Sequence, residues 1–220
     1  MEKIAIGLVV GIAAIIVVIQ MIKIFESIDD EVETAINKKD RAVIIILGSL
    51  YGILSAVFIW KNQYGLVKNI VELLNVTLLF IYLTFQSYFD QKIKNVYSTI
   101  SILMIPIEII YVTYIMIGGY NKIYGFYTLA VLIAPIILWV ISLFRGIGFG
   151  DVLIYLVIAI YYIGAKQQPV ISMLLNIIAT NITFIVTSII IKMGKFGKKK
   201  HKPLTMYIAI TTILFAILNV

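Results

Sequence analysis

Acidic side chains mark the places in this sequence where chemistry is possible. The chain has 11 acidic residues, one histidine and no cysteine, and seven of the acids lie at the N-terminus or in the polar stretch 26–40. The remaining four lie next to or inside long apolar runs: Glu72, Asp90, Glu108 and Asp151. An ionisable group at membrane depth is costly and usually functional, so the candidates for a reaction are found among these acids. Glu72 is the exception, because it lies near the outer start of the third apolar run, where it can reach water, and we assign it an interfacial role.

Three glycines precede the last of these acids at alternate positions, namely Gly146, Gly148 and Gly150. Glycine permits backbone angles and close chain approach that other residues resist. The segment can therefore bend, or lie extended beside a bound peptide, while it directs Asp151 inward. A flexible turn with an acidic N-cap has the same composition, so the glycines alone leave both interpretations open.

The elements that must position these residues are membrane-spanning helices. The 220 residues are 62% hydrophobic and only 13% charged, which is not the composition of a water-soluble domain. A helix needs about 20 apolar residues to cross a bilayer. Apolar stretches of about this length occupy 4–22, 42–60, 70–89, 99–117, 123–143, 151–165, 169–191 and 203–220. The sequence therefore predicts an all-α, polytopic transmembrane helix bundle of about eight helices.

Basic residues predict the orientation of this bundle. The connections after the first, third, fifth and seventh helices hold 13 of the 18 Lys and Arg residues, and the other face holds five. The face richer in Lys and Arg should be cytoplasmic, which places both termini outside.

Asp90 closes the third predicted helix and Asp151 opens the sixth, so both acids should lie at the cytoplasmic boundary. Same-depth placement is the precondition for a carboxylate dyad that shares one proton.

Composition argues against several other kinds of site. Without cysteine the chain has no disulfide, no thiolate metal ligand and no thiol nucleophile, and its single histidine argues against a metal site built on histidine. The net charge of +7 fits basic loops that orient a membrane protein, so we predict no nucleic-acid partner. We also expect no metal and no cofactor.

Two motifs, in this order, resemble the GxGD aspartic membrane proteases, and within them the type IV prepilin peptidase and archaeal preflagellin peptidase family. The Gly-Phe-Gly-Asp sequence at 148–151 matches the motif that names the group. The segment 87–96 resembles the family's Ser-x-x-Asp-x-basic-x-basic-x-aliphatic pattern. Many relatives continue with Pro-Asn where this chain has Tyr97 and Ser98, a departure that concerns the start of a helix rather than the chemistry.

The resemblance covers residues 70–220 as a six-helix catalytic core. It leaves 1–69 as two extra N-terminal transmembrane helices joined by a cytoplasmic loop with acidic and basic residues. It implies that Asp90 and Asp151 are catalytic. It further implies, as a hypothesis, that three glycines give the substrate backbone room and hydrogen bonds: Gly148, Gly150 and Gly146.

The resemblance also implies a function. The chain would be an aspartic-type endopeptidase of the cell membrane that removes the short basic leader of a type IV pilin-like or archaeal flagellin precursor at the cytoplasmic face. Its partners would be those pilin or archaellin precursors and membrane lipid. Bacterial members often carry a Cys-x-x-Cys zinc domain and an N-methyltransferase activity, so the cysteine-free chain is similar to a form without zinc or methylation. Both substrates stay open, although the extra helices point away from the minimal preflagellin type.

Presenilin-like intramembrane proteases share the Gly-x-Gly-Asp motif, and Pro203-Leu204 faintly resembles part of their Pro-Ala-Leu motif. Their partner acid lies deep within a helix, whereas Asp90 is followed by a basic loop. The prepilin branch is therefore the better match.

Two interpretations from other classes remain. The chain would be a small membrane transporter or proton pathway if Asp90, Glu108 and Asp151 acted as relay acids. Against this, two of the acids lie at one boundary and no inverted repeat is visible. The third interpretation is a noncatalytic assembly subunit of a pilus or secretion system. For Glu108 we favour a buried neutral acid, bonded to a neighbour such as a Tyr hydroxyl, over a proton-handling group.

Two charged runs, a glycine pair and a set of polar residues give weaker predictions. The acidic run 26–33 is either a solvated helix extension or a docking site for a basic leader, and the basic run 194–202 indicates orientation and contact with anionic lipid. Gly7 and Gly11 predict close packing of the first helix, against its own bundle or a second copy. Polar residues in the seventh helix predict hydrogen bonds between helices or, as the lesser alternative, a water-lined face. These residues are Asn176, Thr180, Asn181 and Thr183.

Overall fold

The computed structural model describes residues 2–28, 38–61, 66–93, 96–118, 125–145, 148–193 and 204–218. In these ranges the chain forms eight α-helices and no strand, which confirms the all-α fold. The helices are α1 (Glu2–Ile28), α2 (Lys38–Lys61), α3 (Leu66–Ile93), α4 (Ser98–Ile117), α5 (Gly125–Arg145), α6 (Phe149–Ala165), α7 (Pro169–Met193) and α8 (Leu204–Leu218). The runs 29–37 and 194–203, which hold most of the predicted acidic and basic signals, lie outside the described residues.

Five helices in the described ranges are long and apolar enough to cross a membrane, namely α1 to α4 and α7. The helices α5, α6 and α8 contain shorter apolar stretches. Large apolar side chains such as Val9, Ile12, Ile110 and Leu143 are well over half exposed. Apolar surface on this scale is covered by lipid in a stable protein, so the chain is a multi-pass membrane protein.

The helices α1, α2 and α3 extend past the apolar stretches that predict them at both ends. A helix satisfies its own backbone hydrogen bonds, so it can continue through the lipid boundary with polar side chains in its last turns. At the candidate site, α3 continues to Ile93. Asp90 therefore lies in the last turn of α3, which agrees with the prediction that Asp90 closes the third helix.

The chain divides into two compact units, Met1–Tyr88 and Phe89–Val220. The first contains α1, α2 and most of α3. The second contains the end of α3 and the helices α4 to α8. The functional division that the sequence predicts between residues 69 and 70 stays a prediction.

In the first unit, glycines let α1 and α2 approach backbone to backbone. A Cβ on Gly11 would lie 2.8 Å from the carbonyl oxygen of Gly48, and one on Gly7 would lie 2.6 Å from that of Gly52. Any side chain larger than hydrogen would push the helices apart. Of the two predicted possibilities, the structure shows the Gly7 and Gly11 pair packed within its own chain.

The first unit also uses one of the acids of the run 26–33. The Tyr88 hydroxyl donates a hydrogen bond of 2.9 Å to Glu26 Oε1, which joins the last turn of α1 to α3. The aromatic contact between Phe25 and Phe85 lies beside it, with ring centroids 5.0 Å apart. Glu26 therefore has a structural partner, and the acids at 29–33 lie outside the described residues.

In the second unit, α6 is the central helix. It packs against α4, α5, α7 and α8, and its residues from Val152 to Gly164 are almost all buried. Two contacts show that α4 and α6 run parallel. Val96, just before α4, packs against Gly150 at the start of α6. Tyr111, in the second half of α4, packs against Gly164 near the end of α6.

Buried amide and hydroxyl groups join α6, α7 and α8. Asn176 Nδ2 donates to the Tyr162 hydroxyl at 2.8 Å and to Thr212 Oγ1 at 2.9 Å. The hydroxyls of Thr180 and Thr211 share a hydrogen bond of 2.7 Å. For Asn176 and Thr180 the prediction of hydrogen bonds between helices is therefore confirmed. These bonds fix the register of α8 against its neighbours, since an unsatisfied polar group is costly in an apolar interior.

The remaining polar residues of α7 behave differently. Asn181 donates to the Ile177 carbonyl and Thr183 to the Ala179 carbonyl, so both bond within their own helix.

At the far end of α8, buried Lys166 donates from Nζ to the Phe215 carbonyl oxygen at 2.6 Å. This ammonium group satisfies a carbonyl near the end of α8, where the helix itself provides no donor.

Candidate active site

Asp90 accepts a hydrogen bond from the first turn of α8. Its carboxyl group is buried, with 6% exposure, and Oδ2 lies 3.2 Å from the backbone nitrogen of Thr205. The first N–H groups of a helix have no partner within it, and the helix dipole makes this end positive. The carboxylate on α3 therefore satisfies a buried donor of α8 that would otherwise have no partner within the helix, at the end that favours negative charge.

Asp151 accepts a hydrogen bond from the side chain of the same residue. Its Oδ1 lies 3.1 Å from Thr205 Oγ1. Asp151 is the third residue of α6, and its backbone nitrogen donates to the Gly148 carbonyl at 3.0 Å. Gly148 is the N-cap of α6, without a side-chain cap bond. The interpretation of Asp151 as an acidic N-cap is therefore wrong, because the residue is inside the helix.

Thr205 thus connects the two acids that the sequence predicts as a pair. It is completely buried, and its amide faces Asp90 while its hydroxyl faces Asp151. The amide and the hydroxyl of one threonine are about 3 Å apart, so both carboxyl groups contact the same residue. Two acids that meet at one residue are candidates for a dyad that shares a proton.

Neighbouring contacts hold these helix ends together. The rings of Phe89 and Tyr97 meet edge to face with centroids 4.8 Å apart, which joins the end of α3 to the start of α4. Gln91 Nε2 lies 3.0 Å from Met206 Sδ, which joins the end of α3 to α8. We call this end of the second unit, formed by the end of α3 and the starts of α4, α6 and α8, the acid end.

The glycines of the motif have different surroundings. Gly148 is exposed and extended, with φ −64° and ψ 141°, and a Cβ there would lie 3.6 Å from Asp151 Oδ2. Gly150 lies in the first turn of α6, where a Cβ would be only 2.5 Å from the Cβ of Val96. Gly146 lies outside the described residues. Their contacts with a substrate stay predictions.

Glu108 does not belong to the acid end. It is completely buried on the face of α4 that packs against α6, one turn before Tyr111. At 1.5 Å per residue it lies about 15 Å along α4 from the first turn. Within the described ranges, no three His, Cys, Asp or Glu side chains lie close enough together to hold a metal ion.

No protein-family model, curated protein or solved structure matches the chain. The residues of the chain itself therefore have to indicate its function. Thr205 is a residue of the site that neither sequence motif predicts. A usable signal existed, because the predicted topology brings the start of the eighth helix to the same face as both acids. A polar residue in that first turn, next to the Pro203-Leu204 pair, was a candidate partner.

The contact between Gly150 and Val96 predicts a specific loss of stability. Replacing Gly150 with Ala adds a Cβ where Val96 already lies, so we expect the free energy of unfolding in detergent to fall by about 1–3 kcal/mol. A Cβ at Gly148 makes only an ordinary van der Waals contact, so Gly148→Ala should change the free energy of unfolding by less than about 0.5 kcal/mol. Adding Val96→Ala to Gly150→Ala should recover part of the loss. Equal melting temperatures for the two glycine variants would contradict this packing.

Proposed function

We propose that this protein is a membrane aspartic endopeptidase. The single observation that carries the proposal is that Thr205 hydrogen-bonds to both Asp90 and Asp151, which are distant in sequence. The resemblance of segments 87–96 and 148–151 to the two GxGD motifs supports the same assignment from the sequence. The acids that the motifs predict as catalytic are also the acids that share this residue.

The reaction needs only the two carboxyl groups and water. One ionised carboxylate takes a proton from the water molecule as its oxygen attacks the scissile carbonyl carbon. The protonated carboxyl donates a hydrogen bond to the carbonyl oxygen and stabilises the negative charge that develops there. When the carbon–nitrogen bond breaks, a proton passes to the leaving nitrogen, which gives a free carboxyl terminus and a free amine.

The surroundings of the pair favour a peptide substrate. Gly148 is extended and exposed beside Asp151, and Phe149 next to it is also exposed. An extended, side-chain-free backbone can lie alongside a peptide strand and offer it hydrogen bonds. We therefore propose precursors with a short basic leader followed by a hydrophobic segment, as in type IV pilins and archaeal flagellins, cleaved at the cytoplasmic membrane boundary.

Conservative substitutions of the two acids test the reaction. Asp90→Asn and Asp151→Asn preserve shape but remove the ability to exchange a proton, so each should lower the cleavage rate by at least about 1,000-fold. Asp40→Asn, in the first turn of α2, is the matched control and should cleave at the parental rate. The measurement is the appearance of a shortened precursor, by mass, from purified protein in detergent. Normal trimming by either acid variant would remove that acid from the mechanism.

Labelling of single cysteines tests the proposed face of the membrane. The parent has no cysteine, so each introduced thiol reports alone. Gln91→Cys, at the acid end, should react with a membrane-impermeant maleimide only in inverted vesicles. Gln167→Cys, exposed between α6 and α7, should react in intact cells. The opposite result would place the acid end outside, where a cytoplasmic leader does not reach it.

A further inference from the structure

We propose that Thr205 is a positioning residue for the acid pair, and that its amide and hydroxyl together set the separation and orientation of the Asp90 and Asp151 carboxyl groups. The inference rests on the proposed peptidase function. It adds a third residue, on a third helix, that neither motif contains. In the described structure Thr205 bonds to both acids, at 3.2 Å and 3.1 Å.

The direction of the Thr205 hydroxyl distinguishes it from several other threonines of the described helices. Threonines inside these helices commonly donate to the carbonyl four residues earlier, as Thr77, Thr113 and Thr183 do. Such a bond stabilises the side chain locally and needs no other helix. Thr205 is the second residue of α8. Its hydroxyl instead reaches Asp151 on α6.

Thr205 acts as a spacer between the two acids because both of its donors belong to a single residue. The two donors belong to one residue and are about 3 Å apart, so the two carboxyl oxygens that accept from them cannot drift independently. Complete burial of Thr205 keeps water from replacing either bond. Both acids therefore keep a fixed relation to each other, although they lie on different helices.

The rest of α8 holds Thr205 in place. Two turns further along, Thr211 and Thr212 bond to Thr180 and Asn176 on α7. Near the other end, Lys166 bonds to the Phe215 carbonyl. The helix is thus anchored along its length, and its first turn presents donors to the acids from a rigid element. Pre-positioned groups of this kind determine catalytic rate, since a misplacement of 1 Å can cost about 100-fold.

Steady-state cleavage by hydroxyl variants tests the side-chain half of the proposal. Thr205→Val keeps shape and amide but removes the hydroxyl, so kcat should fall by about 100-fold while KM changes by less than about threefold. Thr205→Ser keeps both donors and should restore most of the rate. Thr205→Ala provides a second hydroxyl-free variant if the valine is poorly folded. The probe is a synthetic precursor peptide with a short basic leader and a hydrophobic segment.

Two threonine controls separate positioning from general loss of packing. Thr113→Val, on the exposed face of α4, should leave both constants unchanged. Thr212→Val removes a buried hydroxyl that helps to anchor α8 but leaves both donors of Thr205 in place, so it should lower the melting temperature and should lower kcat by less than about 10-fold. A parental kcat in Thr205→Val, or equal kcat losses in Thr205→Val and Thr212→Val, would overturn the assignment.

A second measurement tests the amide half without any substrate. Cysteines at Gln91 and Met206, whose side chains are in contact, report whether the first turn of α8 stays beside the end of α3. A short bifunctional thiol reagent should cross-link this pair efficiently in membranes, and Asp90→Ala should reduce the yield several-fold, because the acceptor of the Thr205 amide is gone. Thr113→Val should not change the yield. Equal yields with and without Asp90 would contradict the proposal.

The two measurements separate this inference from the proposed function. If the parent cleaves the peptide but Thr205→Val cleaves it equally well, the peptidase proposal stands and Thr205 is not a positioning residue. If the parent cleaves no precursor peptide, the peptidase proposal fails. Cross-linking then decides alone whether Thr205 holds the two helices together through Asp90.

Discussion

The site depends on a buried threonine that donates to two carboxyl groups. Asp90 is buried and Asp151 is partly buried, and a buried carboxyl group without a hydrogen-bond donor is disfavoured. Thr205 supplies one bond to each acid from the first turn of α8, where the helix has unused N–H groups. Through these bonds the ends of three helices meet at one place, and the proposed chemistry depends on that meeting.

Much of the fold follows from the sequence because the bilayer imposes strict requirements. A spanning segment must be apolar, helical and about 20 residues long, so composition alone predicts the helices. The same argument predicts a common depth for Asp90 and Asp151, since two predicted spans lie between them. The helix ends are less predictable. Polar residues such as Lys38 and Lys92 continue a helix into the boundary region, where lipid no longer restricts composition.

The rotation of each helix could not be predicted in the same way. In α4, Ile100 and Ile115 face protein while Ile102 and Ile110 face outward, so residues of the same type lie on both sides. Because lipid and protein interior are both apolar, the pattern that orients a helix in a soluble protein is absent. The bonds of Thr205 and the contact of Gly150 with Val96 depend on such rotations. These bonds and this contact can be identified only from a structure in which the helices are packed against one another.

Binding of an uncleavable peptide tests the central claim most directly. A precursor peptide whose scissile amide is replaced by a hydroxyethylene group imitates the tetrahedral intermediate and offers its hydroxyl to both acids. If Asp90 and Asp151 act as one dyad, the parent should bind it at least about 100-fold more tightly than the matching amide peptide, and Asp90→Asn or Asp151→Asn should abolish the difference. Equal affinities of the parent and both variants for the hydroxyethylene peptide would contradict the account.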